Sequence, residues 1–248
     1  MNVVKELSHE LLEQRFLEEE SVKLDEYKKI AAFYARTENS IAVLSDLRAN
    51  VSYIYYGKAA EKLMLARSGT SAVIHSIWEK EIFNRIHPED LHGKHLRELH
   101  FLHFLKGIPE KRRTDYYLSS QIRMCDDEGK YLPVLHRMFY VACQSNGSVW
   151  LALCLYSLSA DYSNRHAIVN SADGTLAPLE GKGGKGLLSE RERDILRLIQ
   201  WGNKSKDIAK VLSISVNTVS RHRQNILEKL QVGNSIEAVQ LAQELGII

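Results

Sequence analysis

Hydrophobic positions recur at intervals of three and four residues in the first 36 residues of the chain. They include Val4, Leu7 and Leu11, and then Leu24 and Tyr27. This spacing places apolar side chains on one face of a helix. It predicts two N-terminal helices that are separated by a break near residues 18–21.

The period then changes to two, which is typical of strands. Ile41 and Val43 alternate with their neighbours, as do Val51, Tyr53 and Tyr55, so two strands are expected with a turn between them. Helical spacing returns over residues 57–66. A longer helix is predicted from residue 86 to residue 106, because Pro88 lies in its first turn, where no backbone donor is needed.

Three long strands are predicted after this helix, over residues 115–125, 131–144 and 149–159. The turn sequences DDEG and NG separate them. The last strand is apolar on both faces, which is typical of a strand that is covered on both sides. We therefore expect the N-terminal helices, or a second protomer, to cover the sheet face that the other helices leave open.

Residues 187–231 predict three short helices. Ser189 and Glu192 have the spacing of a capping box, and Gly202 can end the first helix in a left-handed turn. Ser205 is expected to cap a second helix over residues 206–212, and Ser215 a third over residues 216–230. Two short helices joined by a tight turn are the outline of a helix-turn-helix DNA reader.

The third of these helices has two chemically different sides when its residues are placed about 100° apart. One side is apolar and should pack against the first two helices; it holds Val216, Val219, Ile226, Leu227 and Leu230. The other side carries groups that suit the base edges of a major groove, and we expect base contacts from Asn217, Ser220, Arg221 and Gln224. The alternative is the solvated surface of an ordinary helical bundle.

The segments LSERERDILRLIQWG, KDIAKVLSIS and TVSRHRQNILEKL occur in order without gaps. Together they resemble the LuxR-type (GerE-like) helix-turn-helix domain over about a quarter of the chain. The resemblance implies that Ser220, Arg221 and Gln224 face bases. It also implies that phosphates are held by Lys206, Thr218, His222, Asn225 and Lys229.

The tail SIEAVQLAQELGI resembles the fourth helix of that family, which commonly serves dimerisation. The resemblance implies dimer contacts from Ile236, Val239 and Ala242. Ser220 and the pair Lys204–Ser205 depart from the family pattern, which leaves the preferred base sequence open. The implied partner is double-stranded DNA with an inverted-repeat operator, bound by a homodimer.

The order of helices, two strands, helices and three strands, with IHPEDL before the long helix, resembles a PAS domain over residues 37–160. This implies a five-stranded antiparallel sheet with helices across one face and a small ligand between the two. Aromatic residues that could line such a pocket are Trp78, Phe101, Phe104, Phe139 and Trp150. The alternative is that they are plain core.

Four histidines share one arc of the predicted long helix: His92, His95, His100 and His103. Haem or a metal ion could bind such an arc, but leucines share it, and we prefer surface or partly buried helix residues. No metal site and no certain cofactor are expected.

The segment GKGGKG fits a dinucleotide fingerprint, but no hydrophobic strand precedes it, as that fingerprint requires. No catalytic grouping can be assigned in the sequence. We therefore expect that the protein is not an enzyme.

Composition is that of an ordinary globular protein, with 44% hydrophobic and 26% charged residues among 248. A net charge of +2 permits a local DNA-binding surface without requiring one. Three further observations predict a soluble cytoplasmic protein. The three cysteines lack metal-type spacing, no secretion signal is recognised, and the uncharged runs are too short to span a bilayer.

The sequence thus predicts an α+β chain that ends in an all-α four-helix domain. We expect N-terminal helices over residues 1–36, a PAS-like sensor over 37–160, a flexible linker over 161–186 and a DNA-binding domain over 187–248. The predicted function is a transcriptional regulator that senses a small ligand or partner. Two alternatives for the front half are a ligand-free dimerisation or interaction module and an acyl-homoserine-lactone-type sensor.

Overall fold

The computed structural model describes residues 3–17, 22–160, 166–177, 188–230, 232–244 and 247–248. The helices are α1 (Val3–Leu12), α2 (Val22–Thr37), α3 (Lys58–Lys62), α4 (Lys80–Phe83), α5 (Pro88–Lys106), a 3-10 helix (Glu110–Asp115), α6 (Glu190–Gln200), α7 (Ser205–Val211), α8 (Val216–Leu230) and α9 (Ser235–Glu244). The strands are β1 (Ile41–Asp46), β2 (Val51–Tyr56), β3 (Ser71–Ile74), β4 (Tyr116–Cys125), β5 (Tyr131–Cys143), β6 (Val149–Leu158), β7 (His166–Asn170) and β8 (Leu176–Ala177).

The strands form one sheet in the order β3-β2-β1-β6-β5-β4-β7-β8, and every neighbouring pair is antiparallel. The five strands predicted from alternation are β1, β2, β4, β5 and β6, and they are contiguous. The expectation of a five-stranded sheet is nevertheless wrong, because the sheet has eight strands. Similarly, only Lys58–Lys62 is helical within residues 57–66.

The added strands lie at the two edges of the sheet. β7 pairs with the outer edge of β4, and β8 pairs with β7. Both fall within residues 161–186, which we expected to be a linker, so the sheet continues beyond residue 160. Strands of five and two residues are too short to give a clear alternation. Residues 161–165 and 178–186 of the expected linker, and the break at residues 18–21, lie outside the described residues.

β6 is buried on both faces, as its sequence predicts. Ala152, Cys154 and Tyr156 point into the larger core cluster, which includes α1 and α5. Leu153 and Leu155 point into a second cluster on the opposite face. The strand is thus shielded from water by one layer on each side.

α2 supplies the cover on the second face. Ala31 and Ala35 are buried there against β1 and β6, and their small side chains let the helix axis approach the sheet closely. This confirms the expectation that an N-terminal helix covers this face. α1 lies on the other face, where Val3, Leu7 and Leu11 join the core beside α5.

Within the described ranges, no helix combines the length and the apolarity that crossing a membrane requires.

We predict that Leu155→Ala lowers the free energy of unfolding by about 2–5 kcal/mol, because Leu155 is fully buried beneath α2. Leu158→Ala is the matched control, since Leu158 lies at the end of the same strand and is 43% exposed. It should change the free energy by less than about 0.5 kcal/mol. Urea unfolding followed by circular dichroism measures both, and equal losses would contradict the covering role of α2.

Candidate nucleic-acid interface and sensor core

The start of α6 is fixed by a capping box, as predicted. The Ser189 hydroxyl accepts a hydrogen bond from the Glu192 amide at 3.3 Å, and the Ser189 amide donates to the Glu192 carboxylate at 2.8 Å. The same carboxylate accepts from Lys229 Nζ at 2.7 Å. Glu192 is buried, so this carboxylate links the start of α6 to the end of α8.

The pKa of Glu192 reflects this environment. Burial alone would raise it, but the hydrogen bonds from Lys229 and from the Ser189 amide outweigh burial and lower the pKa below its ordinary value. The ionised form is therefore part of the folded domain.

The turn after α6 contains Gly202 in the left-handed region, with φ of 79°, as predicted. The prediction that Ser205 caps α7 is wrong. Lys204 occupies the N-cap without a side-chain hydrogen bond, and Ser205 is already helical. The reason lies in Arg223, whose guanidinium donates to the Ser205 hydroxyl at 2.9 Å and to the Ser235 hydroxyl at 2.9 Å. Arg223 thus ties α8 to the starts of α7 and α9, a role that sequence reasoning missed.

The connection between α7 and α8 is as tight as the sequence predicts. Ser213 adopts a φ of 53°, and the Ser215 hydroxyl accepts a hydrogen bond from the Thr218 amide at 3.0 Å. Ser215 therefore caps α8, which begins at Val216.

α8 is anchored by its apolar side. Val219, Ile226 and Leu230 are buried, and Leu227 is half-buried against the core. Val216 was expected to share this side, but it is 40% exposed. It lies in the first turn of α8, ahead of the part that is buried.

The opposite side of α8 is presented to solvent. All four residues expected to contact bases are exposed: Asn217, Ser220, Arg221 and Gln224. The Gln224 amide donates to the Glu228 carboxylate at 3.2 Å, so a base contact by Gln224 would compete with that bond. The structure thus brings these four side chains together on one accessible face.

The residues expected to hold phosphates differ in their solvent exposure. Lys206 is exposed, whereas the other four are half-buried: Thr218, His222, Asn225 and Lys229. The Thr218 hydroxyl is 2.8 Å from the Ser215 hydroxyl. Lys229 is paired with Glu192, so a phosphate would have to share this ammonium group with a buried carboxylate.

The three residues expected to form dimer contacts on α9 differ in exposure. Ile236 is 71% exposed, Val239 is half-buried and Ala242 is fully buried. Ala242 belongs to the core of its own chain, so only the Ile236 end of α9 presents a substantial apolar surface.

The five aromatic residues expected to line one pocket are divided between the two faces of the sheet. Trp78, Phe101 and Phe104 lie on the face that carries α5. Phe139 and Trp150 lie beneath α2. The sheet therefore separates them, and the Trp150 indole instead donates to Asp46 at 3.1 Å.

The histidines of α5 do not converge either. His95 and His100 are buried, whereas His92 and His103 are half-buried. The His95 ring lies edge-on to Trp78 and Phe83, and burial, with Lys94 and His92 nearby, lowers the pKa of His95 to about 3. Among the described residues, none of the four belongs to a group of metal-type donors.

A different polar group occupies the core between α5 and the sheet. We call it the buried polar cluster; it consists of Lys94, Glu98, His136, Cys154 and Tyr156, all buried. Lys94 Nζ is 2.6 Å from Glu98 Oε1, and His136 Nε2 is 3.8 Å from the same oxygen. The rings of His136 and Tyr156 have centroids 4.8 Å apart, because these residues are direct partners across β5 and β6.

The electrostatics of the cluster are set by burial and by the Lys94 charge. Burial alone would lower the pKa of Lys94, but Glu98, Cys154 and Glu79 outweigh it and raise the pKa. Burial raises the pKa of the Cys154 thiol well above its ordinary value and lowers that of His136 well below its own. It also raises the pKa of nearby Glu79 to about 7. Lys94 is thus an ammonium group beside a neutral imidazole and a neutral thiol.

Sequence reasoning missed this cluster because its members come together only when α5 packs on the paired strands β5 and β6. One signal was present. On β5 the alternation of Val134, His136 and Met138 places a polar residue in an inward-facing position, and a polar side chain there requires a partner.

The C-terminal helices coincide with a known family model. Residues 186–242 match the model described as GerE: Bacterial regulatory proteins, luxR family. The uncharacterized response regulatory protein YgeK of Escherichia coli (strain K12) is 43% identical over 60 residues, which are 24% of this chain and 41% of YgeK. The transcriptional regulatory protein DesR of Bacillus subtilis (strain 168) is 44% identical over 59 residues, which are 24% of this chain and 30% of DesR. The chain spans less than half the length of these curated relatives.

A solved structure with a similar extent is that of the phage VqmA-DPO complex. The alignment covers 90% of this chain and 91% of that one, at 16% identity and a TM-score of 0.32. A TM-score of this size does not establish a common fold, and nothing about the present chain follows from it.

We predict that Glu192→Gln lowers the free energy of unfolding at pH 7 by about 1–3 kcal/mol, because it removes the charge that Lys229 and the Ser189 amide stabilise. Since the pKa is lowered on folding, the stabilisation is complete above the unfolded value of about 4.3 and is lost as the pH falls through the folded value. The difference between wild type and variant should therefore shrink below about pH 4.

Glu190→Gln serves as the control in the same first turn, because the Glu190 side chain is 92% exposed. Urea unfolding at pH 7 and in acid measures all three proteins. A wild-type advantage over Glu192→Gln that persists or grows in acid would contradict this account of the pKa.

Proposed function

We propose that this chain, whose C-terminal segment is a LuxR-family helix-turn-helix domain, is a sequence-specific regulator of transcription. The observation that carries the proposal is the division of α8. Val219, Ile226 and Leu230 fix the helix from behind, while Ser220, Arg221 and neighbouring polar groups are exposed on its other side. An exposed polar face on a firmly anchored helix is what insertion into a major groove requires.

The roles of individual residues follow from their chemistry. A guanidinium group can make two hydrogen bonds to guanine, and a carboxamide can make two to adenine, so Arg221 and Gln224 discriminate between bases. Lys206 is exposed and contributes charge to a phosphate. Lys229 serves mainly to hold Glu192 and reaches phosphate only at the expense of that pair.

The front half is a PAS-like sensor of a small ligand or a partner. Support comes from the contiguous strands β2, β1, β6, β5 and β4, with α5 across one face. The core between α5 and the sheet holds polar atoms with no hydrogen-bond partner within the described ranges, on His136, Tyr140 and Tyr156. Buried polar atoms without partners are rare in native proteins, and they favour a ligand at this position.

A second candidate role for the front half is dimerisation, and a specific observation favours it. α2 exposes three large apolar side chains, Ile30 at 45%, Phe33 at 54% and Tyr34 at 37%. A second copy of the chain would cover this surface, and a homodimer offers one α8 helix to each half of an inverted repeat, whose halves lie about one helical turn apart. Dimerisation through α2 and ligand sensing are compatible, because they use opposite faces of the sheet.

We predict that Phe33→Asp converts the homodimer to a monomer, since it places a charge in the centre of the exposed apolar surface of α2. Lys29→Asp is the control, because Lys29 is an exposed residue of the same helix and receives the same carboxylate. Sedimentation velocity gives the mass of each protein. A wild-type monomer, or a Phe33→Asp variant that stays dimeric, would contradict the proposed interface.

For DNA, selection of bound duplexes from a random pool gives the operator. On that operator Arg221→Ala should cost about 1–3 kcal/mol and relax the preference at one base pair. Lys206→Ala should weaken binding about equally on all sequences and reduce the slope of log K against log salt by about one.

Fluorescence anisotropy on the operator and on each single-base substitution, at several salt concentrations, separates the two effects. If Arg221→Ala weakens binding equally on every duplex, Arg221 does not read a base. If selection enriches no sequence, the proposal of a sequence-specific regulator fails.

A further inference from the structure

The buried polar cluster contains three side chains that can each offer a metal ligand. The donor atoms of Glu98, His136 and Cys154 all lie within 4.8 Å of one another, and all three residues are buried. They come from α5, β5 and β6, so the packing of the helix on the sheet creates the grouping. Among the described residues it is the one grouping of this kind.

We propose that Glu98, His136 and Cys154 bind a divalent transition-metal ion of the zinc class. One imidazole nitrogen, one thiolate sulfur and one carboxylate oxygen are the donor types that zinc takes. Calcium and magnesium, in contrast, prefer oxygen donors alone. Three protein ligands leave a fourth coordination position for a further small ligand, as in sites where zinc is accessible to a substrate.

The distances require only a small contraction. Zinc bonds of about 2.0–2.3 Å place tetrahedral donor atoms about 3.3–3.8 Å apart, compared with the present limit of 4.8 Å. The His136 Nε2–Glu98 Oε1 separation of 3.8 Å is already at the upper end of this range. β5 and β6 pair Met138 with Cys154 and His136 with Tyr156, so His136 and Cys154 are diagonal neighbours on adjacent strands.

An independent observation points to a ligand at this position. His136 is fully buried, and neither of its ring nitrogens has a hydrogen-bond partner among the described residues. An unsatisfied buried polar atom costs about 1–3 kcal/mol. A metal ion would take the lone pair of one nitrogen and remove part of this cost.

Two of the three proposed ligands are anionic when a metal ion is bound. Metal binding forms the bond from Cys154 Sγ to the ion and releases the thiol proton to solvent, while His136 binds as neutral imidazole. The Cys154 thiolate and the Glu98 carboxylate together offset the two charges of the ion, while Lys94 and Arg97 supply positive charge near His136. Lys94 donates a hydrogen bond to Glu98, and ligating carboxylates are usually fixed by such a donor.

This inference names a ligand class for the sensor half, so its meaning for regulation rests on the proposed function. The site itself is tested without DNA. The full-length protein is stripped of metal with a chelator and titrated with cobalt(II), which gives a thiolate-to-metal charge-transfer band, and then with zinc(II). We expect one equivalent of cobalt per chain, the charge-transfer band, and its loss when zinc displaces cobalt.

Cys154→Ser should abolish the band and weaken zinc binding by more than the roughly 10–100-fold that a residue behind the ligands costs. Cys143→Ser is the matched control, since Cys143 is half-buried on β5 outside the cluster, and it should keep the band. A wild type without the band, or a band that survives in Cys154→Ser, overturns the site.

If Cys154→Ser does not fold, X-ray absorption at the zinc edge of the wild type decides. One sulfur with nitrogen or oxygen neighbours supports the site, and no sulfur or more than one overturns it. Operator binding by the same samples keeps the two proposals apart. Failure of metal binding with intact DNA recognition removes only the metal site, and the reverse result removes only the regulator.

Discussion

The constraint on which the C-terminal domain depends is the anchoring of α8 by its apolar side. A helix that exposes polar, well-solvated groups on one side stays rigid only if its other side is firmly packed. Val219, Ile226 and Leu230 meet the packing demand. Two polar contacts also hold the helix: Lys229, near its C-terminal end, is bound to the buried Glu192 carboxylate, and Arg223, at its middle, bridges Ser205 and Ser235.

The central strand of the front half is also held by packing against helices. β6 is shielded by α5 on one face and by α2 on the other, so the centre of the sheet is dry on both sides. Charged and polar groups placed in such a core are costly unless they are paired. Lys94 and Glu98 are paired, whereas His136 and Tyr156 hold polar atoms without partners in the described part of the chain. That asymmetry distinguishes the buried polar cluster from an ordinary core.

Much of the architecture could be predicted from the sequence because strong local signals coincide with it. The capping box at Ser189, the cap at Ser215 and the alternation in β6 each depend on residues close together in the chain. β3, β7 and β8 could not be predicted, since strands of two to five residues carry little periodicity and their pairing depends on strands elsewhere in the sheet. Ser205 was misassigned for a related reason: its partner, Arg223, is 18 residues away.

Among the candidate sites, too, only the one that depends on local geometry could be predicted from the sequence. The face of α8 could be predicted because helical geometry alone determines it, and its four expected residues are exposed together. The aromatic pocket failed because Phe101 and Trp150 lie on opposite faces of the sheet, which depends on strand order. The grouping of Glu98, His136 and Cys154 likewise arises only when α5 packs on the paired strands β5 and β6.

Methylation interference with the full-length protein shows whether α8 of each protomer enters a major groove. Guanine N7 faces the major groove and adenine N3 the minor groove, so the modified position reports which groove is occupied. We expect interference at guanine N7 in two symmetric half-sites whose centres are about one helical turn apart. Interference confined to adenine N3, or the absence of interference on a duplex that the protein binds, would contradict this expectation.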